Sequence, residues 1–109
     1  MGRFLTSQGT LGITLRENVT TTYSAVANDR ILANSTNGAF TITLPTSPLV
    51  NDIVQIIDVG GFAATNKITV ARNGQNINGA AEDLTIDLSG SVTSLIYTGA
   101  SYGWVFAAV

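Results

Sequence analysis

The sequence predicts an all-β fold: a single small antiparallel β-sandwich or barrel-like domain of about eight short strands, preceded by an extended N-terminal arm. Three observations favour this fold. Short runs such as residues 40–44 (FTITL) alternate apolar residues with threonine, which is typical of a strand with one buried face. Asn-Gly pairs and prolines separate such runs at spacings of about ten residues. No stretch of useful length has the 3.6-residue periodicity of a helix.

The chain divides into an arm over residues 1–18 and a β domain over residues 19–109. In the arm, apolar residues lie among glycine, serine and threonine without a regular period. Two interpretations stay open: an edge strand with a frayed end, or an extended segment that becomes ordered when it docks on a partner. Arg16 and Glu17 mark the approach to the compact domain.

Turn signals predict two hairpins within the domain. The segment 34–38 (NSTNG) would join a strand that begins at Ile31 to the alternating strand 40–44, which Pro45 ends because proline cannot donate to a strand ladder. The stretch 66–88 would form a second hairpin, since two short alternating runs flank the sequence NGQNING. Its asparagines and glycines tolerate the positive φ angles of tight turns.

The strand over residues 52–59 (DIVQIIDV) is apolar on both faces. Ile53 and Ile57 would lie on one face, and Val54 and Ile56 on the other. A strand of this kind is a central one that is covered twice. Because the chain is too short to build two thick layers around it, we expect the second cover to come from another subunit.

Composition supports burial between subunits. Only 11% of the 109 residues are charged while 45% are hydrophobic, and the net charge is −2. A chain of this charge lacks the basic surface that nucleic acids require. The uncharged stretch 88–109 is interrupted throughout by serine, threonine and glycine, so we expect no membrane insertion. We therefore expect an oligomer, since small monomers normally use charged residues to remain dispersed.

The residues needed for common catalytic sites are missing from the sequence. It contains no cysteine and no histidine, which excludes disulfides, thiolate ligands and Ser-His or Cys-His nucleophiles. NGQNING is not a phosphate-binding loop, because no lysine and no strand-to-helix transition follows it. We therefore expect no enzymatic activity, no cofactor and no metal.

Two further groups of residues have open interpretations. Tyr102, Trp104 and Phe106 would share one face of a strand, as part of a core or subunit interface or as a platform on which sugars stack. Arg72 either follows a strand that ends at Ala71, or is partly buried and paired with Asp58. We expect the core or subunit interface to include Ile53, Val54, Ile56, Ile57, Tyr102, Trp104 and Phe106.

Several of these stretches together resemble a small β domain of bacteriophage virion proteins. The likeness is strongest in GAFTITLP (38–45) and in ITVARNGQNING (68–79), and it continues through residues 29–32, 47–48, 52–54, 57–58, 66–67 and 95–97 to Gly103-Trp104. Such domains occur in tail-fibre, appendage and capsid-decoration proteins, including those of phages that infect cyanobacteria. The resemblance covers roughly three quarters of the chain.

The resemblance implies a homotrimeric, non-enzymatic virion structural protein, made in the host cytoplasm and exposed on the outer surface of the particle. Related domains usually end a longer fibre chain, whereas here only a short arm precedes the domain, so we expect a stand-alone decoration or appendage protein. Its partners would be further copies of itself and another virion protein of the capsid, neck, tail or fibre. The alternative is a carbohydrate-binding module that recognises host glycans. Attachment to the virion would use Arg3, Phe4, Leu5, Leu11, Ile13 and Leu15.

Overall fold

A computed structural model describes residues 12–107, which fold entirely as strands, turns and loops. The all-β prediction is confirmed. The strands in this range are β1 (Thr14–Val19), β2 (Tyr23–Ser24), β3 (Asp29–Ala33), β4 (Phe40–Thr43), β5 (Ile53–Asp58), β6 (Ile68–Ala71), β7 (Leu84–Ile86), β8 (Val92–Tyr97) and β9 (Trp104–Phe106). The predicted boundary between arm and domain, after residue 18, falls within β1.

The strands form two sheets, and the chain alternates between them over its first half. The five-stranded sheet has the order β1-β3-β5-β8-β9, and the four-stranded sheet has the order β2-β4-β6-β7. From β1 to β6, each odd-numbered strand joins the first sheet and each even-numbered strand joins the second. Each neighbouring strand in a sheet is therefore reached by way of a strand in the other sheet.

The prediction of an antiparallel domain is wrong for this first half. β1, β3 and β5 are mutually parallel neighbours, as are β2, β4 and β6. Parallel strands need a long crossover connection, and the intervening strand of the opposite sheet supplies it. The remaining pairs, β5 with β8, β8 with β9 and β6 with β7, are antiparallel, so both sheets are mixed.

The two predicted hairpins have different outcomes. β6 and β7 pair antiparallel, with Ile68 opposite Ile86, and both Asn73-Gly74 and Asn78-Gly79 have positive φ, as turns between such strands require. The segment 34–38 instead connects β3 to β4, which lie in different sheets. An Asn-Gly pair indicates a change of direction, but it does not fix which strands then pair.

A single hydrophobic cluster takes residues from both sheets. Alternation holds in β3, β4 and β6, where every second side chain is buried, and Phe40, Ile42 and Leu44 lie in the core as predicted. The fully buried apolar side chains include Ile31, Val54 and Ile56 of the five-stranded sheet and Ile42, Ile68 and Val70 of the four-stranded sheet. The core thus covers one face of the five-stranded sheet, called here the inner face.

Candidate interaction surface

β5 occupies the centre of the five-stranded sheet, between β3 and β8, as its doubly apolar sequence predicts. Val54 and Ile56 point to the inner face and are 0% and 1% exposed. Ile53 and Ile57 point the opposite way and are only partly buried, because no other element of residues 12–107 packs over them as the core packs over Val54 and Ile56. The opposite side of the sheet is called here the outer face.

The register arranges the outer face into three rows that run across the strands. The first apolar row contains Ile53, Ile96 and Val105; the polar row contains Arg30, Gln55 and Ser94; the second apolar row contains Leu32, Ile57 and Val92. Leu15 of the edge strand β1 extends the polar row beside Arg30. Arg30 carries the one charge among these ten residues. The outer face is therefore apolar with a narrow polar band through its middle.

Hydrogen bonds along the polar row satisfy its side chains within one copy of the chain. The Arg30 Nε donates to Gln55 Oε1 at 2.7 Å, and the Gln55 Nε2 donates to the Ser94 hydroxyl oxygen at 2.8 Å. Gln55 and Ser94 are 8% and 6% exposed. A polar group at such burial is costly unless it is hydrogen-bonded, and these contacts fix the glutamine in one orientation across three strands.

A buried carboxylate fixes the edge strand β1 to the sheet. Asp29 accepts hydrogen bonds from Arg16 Nε at 2.8 Å, from the Tyr23 hydroxyl at 2.8 Å and from the Val26 backbone N–H at 3.0 Å. Its side chain is fully buried while that of Arg16 is 40% exposed. Burial and the hydrogen bond to the Asp29 carboxylate raise the pKa of Tyr23 to about 12, because both disfavour a second negative charge there.

The predicted pair of Asp58 and Arg72 is not formed. Asp58 is buried, but its carboxylate accepts the backbone N–H groups of Gly61, Ala63 and Gly90 at 3.0–3.2 Å. The Arg72 guanidinium donates to the Gln75 carbonyl at 3.0 Å. Asp58 ends β5 in the five-stranded sheet, whereas Arg72 follows β6 of the four-stranded sheet, which ends at Ala71, in agreement with the alternative interpretation. Strand alternation predicts on which face of its strand Asp58 lies. It does not predict which sheet contains the strand that precedes Arg72.

The three aromatic residues near the C-terminus have different environments. Trp104 is fully buried, and its ring lies 5.4 Å from that of Tyr97 at 59°. Phe106 shares the inner side of β9 but is 58% exposed at the strand end, and Tyr102 precedes β9 in a turn at 68% exposure. Because its indole is enclosed by the core, Trp104 cannot act as a stacking platform for sugars.

The predicted attachment residues are described only in part. Ile13 and Leu15, at the start of β1, are 45% and 50% exposed. Arg3, Phe4, Leu5 and Leu11 lie outside the described residues. The attachment role of this group stays a prediction.

An open groove of about 540 Å³ lies between the turns that follow β2 and β4, and Asp52 is the one ionisable residue in its lining. The Asp52 carboxylate accepts the Leu49 backbone N–H at 2.8 Å. Within residues 12–107, no three His, Cys, Asp or Glu side chains are grouped so as to hold a metal ion. The same part of the chain has no helix that is long and apolar enough to cross a membrane.

Sequence reasoning missed both the polar row and the Asp29 cluster. Gln55 was visible as the one uncharged polar residue inside DIVQIIDV, which is a signal for a buried hydrogen-bonded side chain. Its partners Arg30 and Ser94 could not be found in this way, because they lie on strands whose order follows from the unexpected crossovers.

The chain matches no protein-family model and no curated protein.

Proposed function

We propose that this protein is a non-enzymatic structural protein of a bacteriophage virion, a small decoration or appendage protein that assembles as a homotrimer. The observation that carries the proposal is the outer face of the five-stranded sheet, where apolar rows lie on either side of one polar row. Isolated monomers rarely expose contiguous apolar patches of this size without a function. The low charge of the chain and the resemblance of GAFTITLP and ITVARNGQNING to phage domains support the same conclusion.

The finer architecture that we propose is a two-layered sandwich. The inner face of the five-stranded sheet and the buried side of the four-stranded sheet contribute to the same hydrophobic cluster, which supports packing of the sheets against each other. A sandwich of two sheets has two outward faces, one on each sheet. The outward face of the five-stranded sheet is the apolar one, which makes it the candidate for assembly.

The N-terminal arm is the proposed means of attachment to another virion protein. The domain is secured to β1 from Arg16 onward through Asp29, so the residues before β1 are not needed to complete that cluster. A deletion of residues 2–11 tests this division. We expect the truncated protein to keep the β-rich circular dichroism spectrum and the oligomeric mass of the full chain, and to be absent from virions. Incorporation of the truncated protein at the wild-type level would contradict the attachment role.

Native mass spectrometry of the full chain tests the trimer. The chain has a mass of 11.3 kDa, and we expect a dominant species of three times that mass at micromolar concentration. A species at 11.3 kDa alone would contradict the proposal. Immunogold labelling of virions should then place the protein on the outer surface of the particle.

Glycan recognition is retained as the second candidate function for one reason. Tyr102 presents an aromatic ring at 68% exposure in the turn before β9, and sugars stack on such rings. Binding to a glycan array by the full chain, lost on Tyr102→Ala and kept on Phe62→Ala, would support it. Phe62 is a suitable control because it is also an exposed aromatic residue in a turn.

A further inference from the structure

We infer that the outer face of the five-stranded sheet is the contact surface between copies of this chain, packed around an axis parallel to the strands. The inference rests on the proposed self-assembly and specifies the surface that it uses. It also specifies the alignment: each row of one copy meets the same row of the next.

The row pattern makes the face complementary to itself. Each row crosses the sheet at one height along the strands, and the polar row lies between the two apolar rows. An axis parallel to the strands keeps these heights equal in all copies. Apolar rows therefore meet apolar rows, and Gln55 and Ser94 meet the polar rows of neighbouring copies. A shift along the axis by one row would place the charged Arg30 guanidinium against apolar side chains and remove it from water, which is costly.

The size of the face is that of a small interface. The strands of this sheet are 6, 5, 6, 6 and 3 residues long, and at about 3.3 Å per residue and about 4.8 Å between strands they give a face of about 400 Å². Two such faces bury about 800 Å², which is at the small end of interfaces between protein chains. Ile13 lies beside Arg30, Ile53 and Gln55 and extends the face at its margin.

The charge of the face favours another copy over a charged partner. Arg30 is the single charged residue of the three rows, and its Nε is already bonded to Gln55. A partner that binds mainly through charge would find one cation and no anion in these rows. A second copy offers equally apolar rows and an equally narrow polar band, so its surface matches this one without requiring an opposite charge.

The decisive comparison is between Val92→Lys and Val50→Lys in the full chain. Val92 lies in the second apolar row and is 59% exposed, while Val50 lies in the loop before β5 and is 60% exposed. Both changes add the same charge at the same residue type and exposure. We expect Val92→Lys to weaken association by about 100-fold or more, because a lysine without a partner would be buried between copies. Val50→Lys should leave association unchanged.

Sedimentation velocity at micromolar concentration reads out the oligomer, and circular dichroism checks that each variant is folded. If Val92→Lys does not fold, Ile96→Thr in the other apolar row replaces it, because threonine is also β-branched and favours a strand. We then expect about a tenfold loss of association, which corresponds to one removed apolar contact. Association that is unchanged in Val50→Lys and weakened by these factors in the row variant would support the inference.

Three outcomes would overturn the inference, and they differ in what they imply for the proposed homotrimer. Association of a folded Val92→Lys, or of Ile96→Thr in its place, that is as strong as in wild type would remove this face as the interface and leave the proposed homotrimer intact. Equal dissociation of Val50→Lys and Val92→Lys would show a general effect of charge and would also remove the face. A wild-type monomer would overturn the homotrimer together with this inference and would assign the apolar rows to a different partner.

Discussion

The two faces of β5 have nearly the same composition and different environments. Inward, Val54 and Ile56 are enclosed by the core, and the Asp58 carboxylate accepts three backbone N–H groups. Outward, Ile53 and Ile57 are partly buried on either side of Gln55. The inner face is therefore complete within one copy. On the outer face the polar side chains are hydrogen-bonded, but the side chains of the apolar rows remain partly exposed to solvent. Such exposure is expected of a surface that binds a partner.

The largest expected difference between the faces is in packing. Ile56→Ala should lower the free energy of unfolding by about 2–5 kcal/mol, because it removes a buried side chain and leaves a cavity. Ile57→Ala should lower it by about 1 kcal/mol or less when the protein is monomeric, because its site is open to water. Urea unfolding at protein concentrations low enough to give monomers measures both. Equal losses would contradict the assignment of faces.

The next largest effect concerns the carboxylate at the inner end of β5. Asp58→Ala should cost about 3 kcal/mol or more, because three backbone N–H groups lose their acceptor in a buried site. Asp58→Asn should cost less, since one oxygen remains to accept. Asp52→Ala is the matched control with a cost of about 1 kcal/mol, because Asp52 accepts the Leu49 N–H alone in an exposed turn. Urea unfolding ranks the three variants by their loss in free energy of unfolding. A loss for Asp58→Ala that is no larger than that for Asp52→Ala would contradict the role assigned to Asp58.

A pH-dependent effect is expected where β1 joins the inner face. The pKa of Tyr23 is raised to about 12 in the folded protein, against about 10 for an unfolded tyrosine. A raised pKa means that the folded state holds the proton more tightly, so this stabilisation is fully present below pH 10 and is lost as pH rises to 12. Its size is at most about 3 kcal/mol.

Thermal melts between pH 9 and 12 of wild type and Tyr23→Phe measure this term. The difference in melting temperature between them should shrink above about pH 10 as wild type loses the contribution. Tyr102→Phe is a suitable control, because its ring is exposed in a turn. Parallel curves for wild type and Tyr23→Phe across this range would contradict the linkage of Tyr23 to Asp29.

The smallest expected effect on the monomer lies in the polar row. Gln55→Leu should change the stability of the monomer by about 1 kcal/mol, since it exchanges the hydrogen bonds to Arg30 and Ser94 for apolar surface. Its effect on assembly should be qualitative: association becomes tighter but yields mixed oligomers, because a buried polar group fixes register and copy number at some cost in stability. Native mass spectrometry measures the distribution, and one sharp trimer peak identical to wild type would contradict a register role for Gln55.

Local pattern identified most of the strands but not their order, and it left the strand character of β1 open. Alternation in residues 40–44 and 52–58 correctly identified buried positions, and the doubly apolar β5 is indeed central. The parallel pairing was missed because NSTNG resembles a hairpin turn, whereas it carries the chain from one sheet to the other. A turn does not determine which strand the following segment pairs with. That pairing depends on contacts between residues distant in sequence, and a local pattern does not contain them.

The candidate interaction surface was likewise predictable within a single strand but not across strands. Ile53 and Ile57 could be assigned to an outer face from the sequence, because alternation along one strand is enough. The rows of the outer face could not be predicted from the sequence, because Arg30 and Ser94 lie beside Gln55 only as a result of the strand order β3-β5-β8. For the same reason both interpretations of Arg72 stayed open in the sequence, which does not show that Arg72 follows a strand of the other sheet from Asp58.

Thiol labelling tests most directly whether the outer face is covered in solution. The chain has no cysteine, so Val92→Cys and Val50→Cys each place one thiol at a position of nearly equal exposure in the single copy. With wild-type assembly retained, we expect the Val92→Cys thiol to react with a maleimide at least about tenfold more slowly than the Val50→Cys thiol at micromolar protein, because only the outer face is buried between copies. The two rates should converge on dilution. Equal rates at micromolar concentration would contradict the account, because the outer face would then be open to solvent.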